Sequence, residues 1–160
     1  MRDIVWMLSP SSESWKELAQ RMELIANRLL AEISHEVSQH GEPPSGDPPV
    51  NWARCVVSIL KEALTNAYRH SGADKIHVNM YWANQEFKLC VKDDGCGFDV
   101  DSVSTTKGLG LGNLRHRAQA FAMKLEILSE QGEGTLVTLL APISKTKSGK
   151  VAENRHKPER

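Results

Sequence analysis

A chain of 160 residues, 40% hydrophobic and 25% charged, with 20 basic against 20 acidic side chains, carries enough apolar material for one soluble domain with a single core. These proportions exclude collagen, a mucin-like stalk and a wholly disordered chain; no run approaches the roughly 18 apolar residues of a membrane helix, and residues 4–8 are too short for a signal-peptide core. The expected compartment is the cytosol, with Cys55, Cys90 and Cys96 reduced and structural, since three cysteines without a CxxC pair make no disulfide framework.

From residue 11 to about 33, Trp15, Leu18, Met22, Ile25, Leu29 and Leu30 recur at three- and four-residue intervals behind the hydroxyls of Ser11-Ser12-Glu13-Ser14, which predicts an amphipathic helix. Residues 33–37 read as a weak strand. The run from His40 to Pro49 is a surface loop, because its prolines remove donors and fix φ. Asn51 is placed to cap a second helix reaching about His70, with Ala53, Val56, Val57, Leu60, Ala63, Leu64 and Ala67 as its buried stripe and Ser71-Gly72-Ala73 as its stop.

Ile76, Val78, Met80 and Trp82, then Phe87, Leu89 and Val91, alternate with polar neighbours around a short connection, the pattern of a hairpin. After Asp93-Asp94-Gly95-Cys96-Gly97-Phe98 comes a polar loop, and Gly108-Leu109-Gly110-Leu111-Gly112 opens a short helix with Leu114, Ala118 and Phe121 on one face. Leu125 and Ile127 mark a further strand, Gln131-Gly132-Glu133-Gly134 a turn, and residues 135–141 a last strand. Residues 144–160 hold six Lys/Arg against two Asp/Glu, a disordered basic tail on a slightly acidic body. The predicted fold is an α/β sandwich, a mostly hairpin-connected sheet with helices over one face, and the element order does not suit a doubly wound parallel sheet.

Three features carry chemistry. Glu62, Asn66, Arg69 and His70 stand at i, i+4, i+7 and i+8, one polar stripe beside the apolar face of the second helix. Oxygens of Glu or Asn suit Mg²⁺, and Arg and His donate to phosphates; taken alone, the stripe is better explained as an exposed face with a Glu/Arg pairing. Asp93 ends a strand before Gly95 and Gly97, where a flat ligand can approach the backbone. A buried carboxylate there accepts from an exocyclic amine and so favours adenine over guanine; the bland reading is an Asp-Gly turn. The Gly108/Gly110/Gly112 run can present backbone N–H groups to an anion, or serve as a hinge. It is no dinucleotide fingerprint, since position 113 is Asn113, and the only Gly-Lys pair, Gly149-Lys150, continues with Val151, so no Walker A pattern exists.

In order and spacing the chain resembles the GHKL superfamily of ATP-binding domains, which includes gyrase, MutL, a heat-shock chaperone class and bacterial sensor histidine kinases. Glu62-Ala-Leu-Thr-Asn66-Ala-Tyr-Arg69-His70 resembles its N box, Asp93-Asp-Gly95-Cys-Gly97-Phe98 the G1 box, Gly108-Leu-Gly110-Leu-Gly112 the G2 box, and Gly132-Glu-Gly134-Thr135 the final GT turn. The details look most like kinases that serve response regulators with helix-turn-helix output domains, over roughly residues 16–143. The resemblance implies a Bergerat-type two-layer fold with a mixed, mostly antiparallel sheet. It implies ATP and Mg²⁺ as ligands. Asp93 would accept from the adenine amine, with Gly95 and Gly97 shaping the pocket and Thr135 supporting it. Asn66 would ligate Mg²⁺, Glu62 would orient the attacking group, and Arg69 and His70 would contact phosphates. Residues 99–107 would form a lid ended by Gly108, Leu109, Gly110, Leu111 and Gly112. Arg69 stands where many relatives carry Lys, and a fork is not equivalent to a point charge.

The implied partners are a separate dimerisation domain bearing a phosphoacceptor histidine and a response regulator, with a homodimeric full-length protein, no nucleic acid, and no membrane contact by this domain. The compartment is cytoplasmic, including the cytoplasmic part of a membrane-bound sensor. Residues 1–10 look like the last turns of the missing domain's second helix, which leaves 11–143 as the catalytic domain. His35 superficially resembles an acceptor but is expected as a solvent-facing strand residue; His77 falls on the polar side of a strand, and His116 and Arg117 on the surface. Cys96 is expected as a small packing residue, and Trp52 and Trp82 as core aromatics. Two alternatives stay open: a stand-alone serine kinase that acts as an anti-sigma factor, and a non-catalytic nucleotide-dependent interaction module.

Overall fold

The computed structural model describes residues 13–83, 85–100 and 110–143. Helix α1, Trp15–Leu29, starts later than the serine run suggests, because Ser14 forms a reciprocal capping box with Glu17: Glu17 N–H donates to Ser14 Oγ and Ser14 N–H to Glu17 Oε2. Its Trp15, Leu18, Ala19, Met22 and Ala26 face inward. Strand β1, Ser34–His40, runs three residues beyond the weak strand expected and takes in His40, which stacks on Tyr81 with ring centroids 4.6 Å apart. Helix α2, Val50–His70, begins behind Pro49 without a side-chain cap, so Asn51 lies inside its first turn instead of capping it. The fixed φ of proline already sets the chain for the helix there.

Strands β2, Lys75–Ala83, and β3, Glu86–Asp93, form the expected hairpin; helix α3, Leu111–Gln119, and strands β4, Lys124–Glu130, and β5, Gly134–Pro142, complete the described elements. The sheet order is β1-β2-β3-β5-β4, with β1 parallel to β2 and every other pair antiparallel. The α2 crossover is what allows the one parallel pairing. The result is the mixed, mostly antiparallel sheet with helices on one face that the sequence implies.

Alternation fixes the covered face. Ile76, Val78, Met80 and Trp82 of β2 and Phe87, Leu89 and Val91 of β3 are buried against α1 and α2. Trp15, Trp52, Trp82 and Phe87 cluster with centroids 4.4–6.0 Å apart, and Trp52 Nε1 donates to the Pro142 carbonyl at 2.9 Å, so both expected core tryptophans are core. His35 differs from expectation: the period of two in β1 turns it under α1, where its ring meets Asn27 Oδ1 at 3.1 Å and the Ile33 carbonyl at 2.8 Å. Phe121 follows α3 in a tight turn in which Ala122 takes φ 54°, and it still packs on the core. Among the described residues no helix is long and apolar enough to cross a membrane.

Candidate functional site

The second half of α2 lies over the end of the sheet where β3 and β5 meet, and a cleft open to solvent separates them. Its walls are apolar: Ala63 and Ala67 of α2, Val91 of β3, Phe98, Ile127 of β4 and Val137 of β5. Its polar groups are Asn66 and His70 from α2, Ser71 just past it, and Asp93 and Thr135, which are paired across β3 and β5. An apolar slot with a few convergent polar groups suits a flat heteroaromatic ligand with a hydrogen-bonding edge.

Asp93 is only 4% exposed. Its Oδ1 accepts from Gly95 N–H at 3.0 Å, and the Thr135 backbone amide also donates to it. Burial pushes its carboxyl above the ordinary value, and the two amides oppose that rise. Asp94 beside it is exposed and holds the start of β2, accepting from Asp74 and Lys75 N–H at 2.9 Å each. The Lys75 amide, more than any other group, depresses its pKa.

The loop after Asp93 is laced to its surroundings by backbone contacts that leave no room for a side chain at Gly95 or Gly97. A β-carbon at Gly95 would overlap the Ser71 carbonyl, and one at Gly97, whose φ is 59°, would overlap the Glu130 carbonyl. Cys96 N–H donates to Ser71 O at 2.7 Å, and Gly132 N–H to Cys96 O at 2.6 Å. Cys96 itself is exposed at the cleft, its thiol 3.6 Å from the His70 carbonyl, rather than packed.

Of the expected site residues, Asn66, His70, Asp93, Gly97 and Thr135 line this cleft; Gly95 shapes it from behind. Glu62 stands one turn before Asn66 and meets Gly110, which starts α3 with φ 64°. Gly112 follows in the first turn of α3, whose N-terminus has neither a side-chain cap nor an acidic residue. Arg69 is exposed in the last turn of α2 and does not line the cleft. Leu111 is the first residue of α3, while Gly108, Leu109 and most of the expected lid lie outside the described residues. Arg117 bonds the Ser58 hydroxyl and so ties α3 to α2, and His116 is exposed.

Two polar residues of the site escape the motif reading. Ser71 is buried, its hydroxyl donating to Ala67 O at 2.5 Å and accepting from Ala73 N–H at 3.0 Å. Ser129 bonds Phe98, Gly134 and Thr135. Alternation was the available signal: Ile127 and Ser129 share a face of β4, as Thr135 and Val137 do of β5.

Residues 53–145 match the family described as histidine kinase-, DNA gyrase B- and HSP90-like ATPase. The chain is similar to the sensor histidine kinase LiaS of Bacillus subtilis, 35% identical over 91 residues, 57% of this chain and 25% of that protein. It is 38% identical to the sensor histidine kinase MctS of Rhizobium johnstonii over 88 residues, 54% of this chain and 19% of that protein. With the sensor protein VraS of Staphylococcus aureus it shares 33% over 90 residues, 56% and 26% of the respective chains. The chain thus spans about a quarter or less of the curated relatives it matches. In fold it is similar to the histidine kinase domain of the Erythrobacter litoralis EL346 blue-light activated histidine kinase, with a TM-score of 0.68 and 22% identity over 87% of this chain and 68% of that one. The Acinetobacter baumannii histidine kinase AdeS gives a TM-score of 0.63 at 18% identity over 89% and 72%. Because the family match covers more than half of its length, the chain belongs to the histidine kinase-, DNA gyrase B- and HSP90-like ATPase family, a family of ATP-binding domains.

Proposed function

We propose that this chain, with residues 11–143 as its domain, is the catalytic and ATP-binding part of a sensor histidine kinase. It takes Mg²⁺-ATP into the cleft beside α2 and passes the γ-phosphoryl group to a histidine on a separate dimerisation and phosphoacceptor domain of a homodimeric, cytoplasmic kinase unit. A response regulator then receives the phosphoryl group. The observation that carries this reading is the buried Asp93 carboxylate at the floor of an apolar cleft whose α2 wall brings in Asn66 and His70. The names of the relatives point to the same activity.

In this reading Asp93 accepts from the adenine amine, while Val91, Ile127 and Val137 remove the ring from water. The uncapped start of α3 from Gly110 to Gly112 offers backbone N–H groups to phosphate oxygens, while the last turn of α2 adds the positive charge of Arg69 and a ring N–H donor from His70. The donor set fits Mg²⁺: Asn66 supplies one amide oxygen, and this ion is commonly held by one or two protein oxygens with phosphates and water. When bound, the ion neutralises charge on the transferring group. Glu62, next to Gly110, orients the attacking group.

Calorimetric titration of the chain with Mg²⁺-ATP tests the binding half: Asp93→Asn is expected to weaken affinity at least about tenfold. Full affinity in that variant would sink the reading. The transfer half is tested by adding a separately produced phosphoacceptor domain and assaying for acid-labile phosphohistidine.

A further inference from the structure

The Ser129 hydroxyl lies behind the cleft at the centre of three short contacts. Phe98 N–H donates to its Oγ at 2.9 Å, Oγ lies 3.0 Å from the Gly134 carbonyl oxygen, and 2.9 Å separates Ser129 Oγ from Thr135 Oγ1. A serine hydroxyl owns one proton and two lone pairs, so the three contacts constrain one another. The Gly134 carbonyl can only accept, so the Ser129 proton goes there. Phe98 N–H fills one lone pair. The remaining contact is a hydrogen bond only if Thr135 donates its proton to the second lone pair. The reverse assignment would set two oxygen lone pairs against each other at the Gly134 carbonyl.

Thr135 lines the cleft, and its backbone amide serves Asp93. With its hydroxyl proton committed to Ser129, Thr135 Oγ1 can offer the cleft only lone pairs. Asp93 offers lone pairs too, its carboxylate being held by the Gly95 and Thr135 amides. The pocket edge made by these two residues therefore consists of acceptors. A ligand edge that donates, such as a 6-amino group, fits it directly or through a shared water; a 6-oxo group brings acceptor against acceptor.

We infer that Ser129 is a specificity-determining positioning residue: by accepting the Thr135 hydroxyl hydrogen bond it keeps the Asp93–Thr135 edge of the pocket acceptor-only and so discriminates 6-amino from 6-oxo purine nucleotides. This rests on the nucleotide reading above and deepens it. Ser129 touches no ligand itself. Removing its hydroxyl frees the Thr135 proton to rotate into the cleft and meet a 6-oxo group.

The test is a calorimetric comparison of ATP with inosine triphosphate, which carries a 6-oxo group in place of the amine, on the whole chain and its variants. Wild-type protein is expected to prefer ATP. Ser129→Ala should reduce that preference by about five- to tenfold, the size of one neutral hydrogen bond gained by the wrong ligand. Ser129→Thr, which retains the hydroxyl, should restore it. In a Thr135→Val background, where no proton remains to be released, Ser129→Ala should leave the ratio within about twofold. Equal weakening of both triphosphates by Ser129→Ala, or the same change of ratio in the Thr135→Val background, would overturn the inference and leave Ser129 a structural residue of the Phe98 and Gly134 loops. Wild-type protein that binds neither triphosphate would overturn the nucleotide reading itself.

Discussion

Gly110 starts α3 against the side chain of Glu62: a β-carbon at position 110 would lie 2.6 Å from Glu62 Oε1. The contact joins the G2 run to the stripe of α2, two features far apart in sequence. Gly110 also holds φ 64°, where a side chain is strained. Gly110→Ala is expected to cost about 1–3 kcal/mol of stability. The flexible Glu62 carboxylate must also swing away, so phosphoryl transfer to a supplied acceptor domain should fall more than ATP affinity. Thermal melts, calorimetry and a transfer assay on one preparation check this; a variant with unaltered transfer would show that the contact is incidental.

Asp93 and Asp94 are adjacent and are expected to respond to pH with opposite signs. Asp93 has a raised pKa, chiefly through burial, so the folded chain binds its proton more readily than the unfolded chain does. Its contribution to stability therefore falls as pH rises from the ordinary carboxylate range, near 4, through the raised value. Asp94 is depressed, chiefly by the Lys75 amide, and stabilises the fold above the ordinary range, with loss as pH falls through its lowered value. Melting curves across acidic to neutral pH should show Asp93→Asn gaining relative to wild type as pH rises. Asp94→Asn should lose ground over the same rise. Parallel pH profiles for the two variants would contradict these assignments.

Gly97 is a second point where the site depends on an absent side chain. With φ 59° and the Glu130 carbonyl in the place of a β-carbon, Gly97→Ala must push the Cys96–Phe98 loop off the turn that carries Gly134 and Thr135. The obstacle is backbone on both sides, so the cost should reach about 2 kcal/mol or more. ATP binding should weaken with it, because Phe98 and Thr135 line the same cleft. Gly112 makes the control: nothing lies within 4 Å of a β-carbon there, so Gly112→Ala should be nearly silent in stability.

These contrasts show what the sequence can and cannot convey. The period of two in β2 and β3 and the stripe of α2 were legible because each element buries one face, and burial writes itself as alternation. The spacing of the boxes led to Asp93, Asn66 and Thr135, which the fold brings to one cleft. The place of β1 in the sheet was not legible: its polar run Ser34–His40 occupies an edge, and its partner depends on the α2 crossover, a nonlocal feature. His35 was misplaced for the same reason, since only the packing of α1 over that edge decides which side of β1 is covered. Alternation puts Ser129 on the same face of β4 as Ile127 but does not name its partners; its role comes from Phe98, Gly134 and Thr135, contributed by other segments.

Glu62 and Asn66 stand at i and i+4 on α2, yet the structure gives them different surroundings, Asn66 in the wall of the cleft and Glu62 against the start of α3. Their roles should separate in experiment. Glu62→Gln keeps shape and polarity but loses the charge that orients the attacking group. It is expected to bind Mg²⁺-ATP within about twofold of wild type while transferring phosphate about 100-fold more slowly, the usual scale for loss of a positioned acid or base. Asn66→Ala should weaken ATP binding in the presence of Mg²⁺ and differ little from wild type when the ion is chelated, because only the ion-dependent part of affinity passes through its amide oxygen. Paired titrations with and without the ion, alongside single-turnover transfer to a supplied acceptor domain, resolve the two. If Asn66→Ala weakened binding equally in both conditions, its amide would be contacting the nucleotide itself, and the ion would have to be held elsewhere.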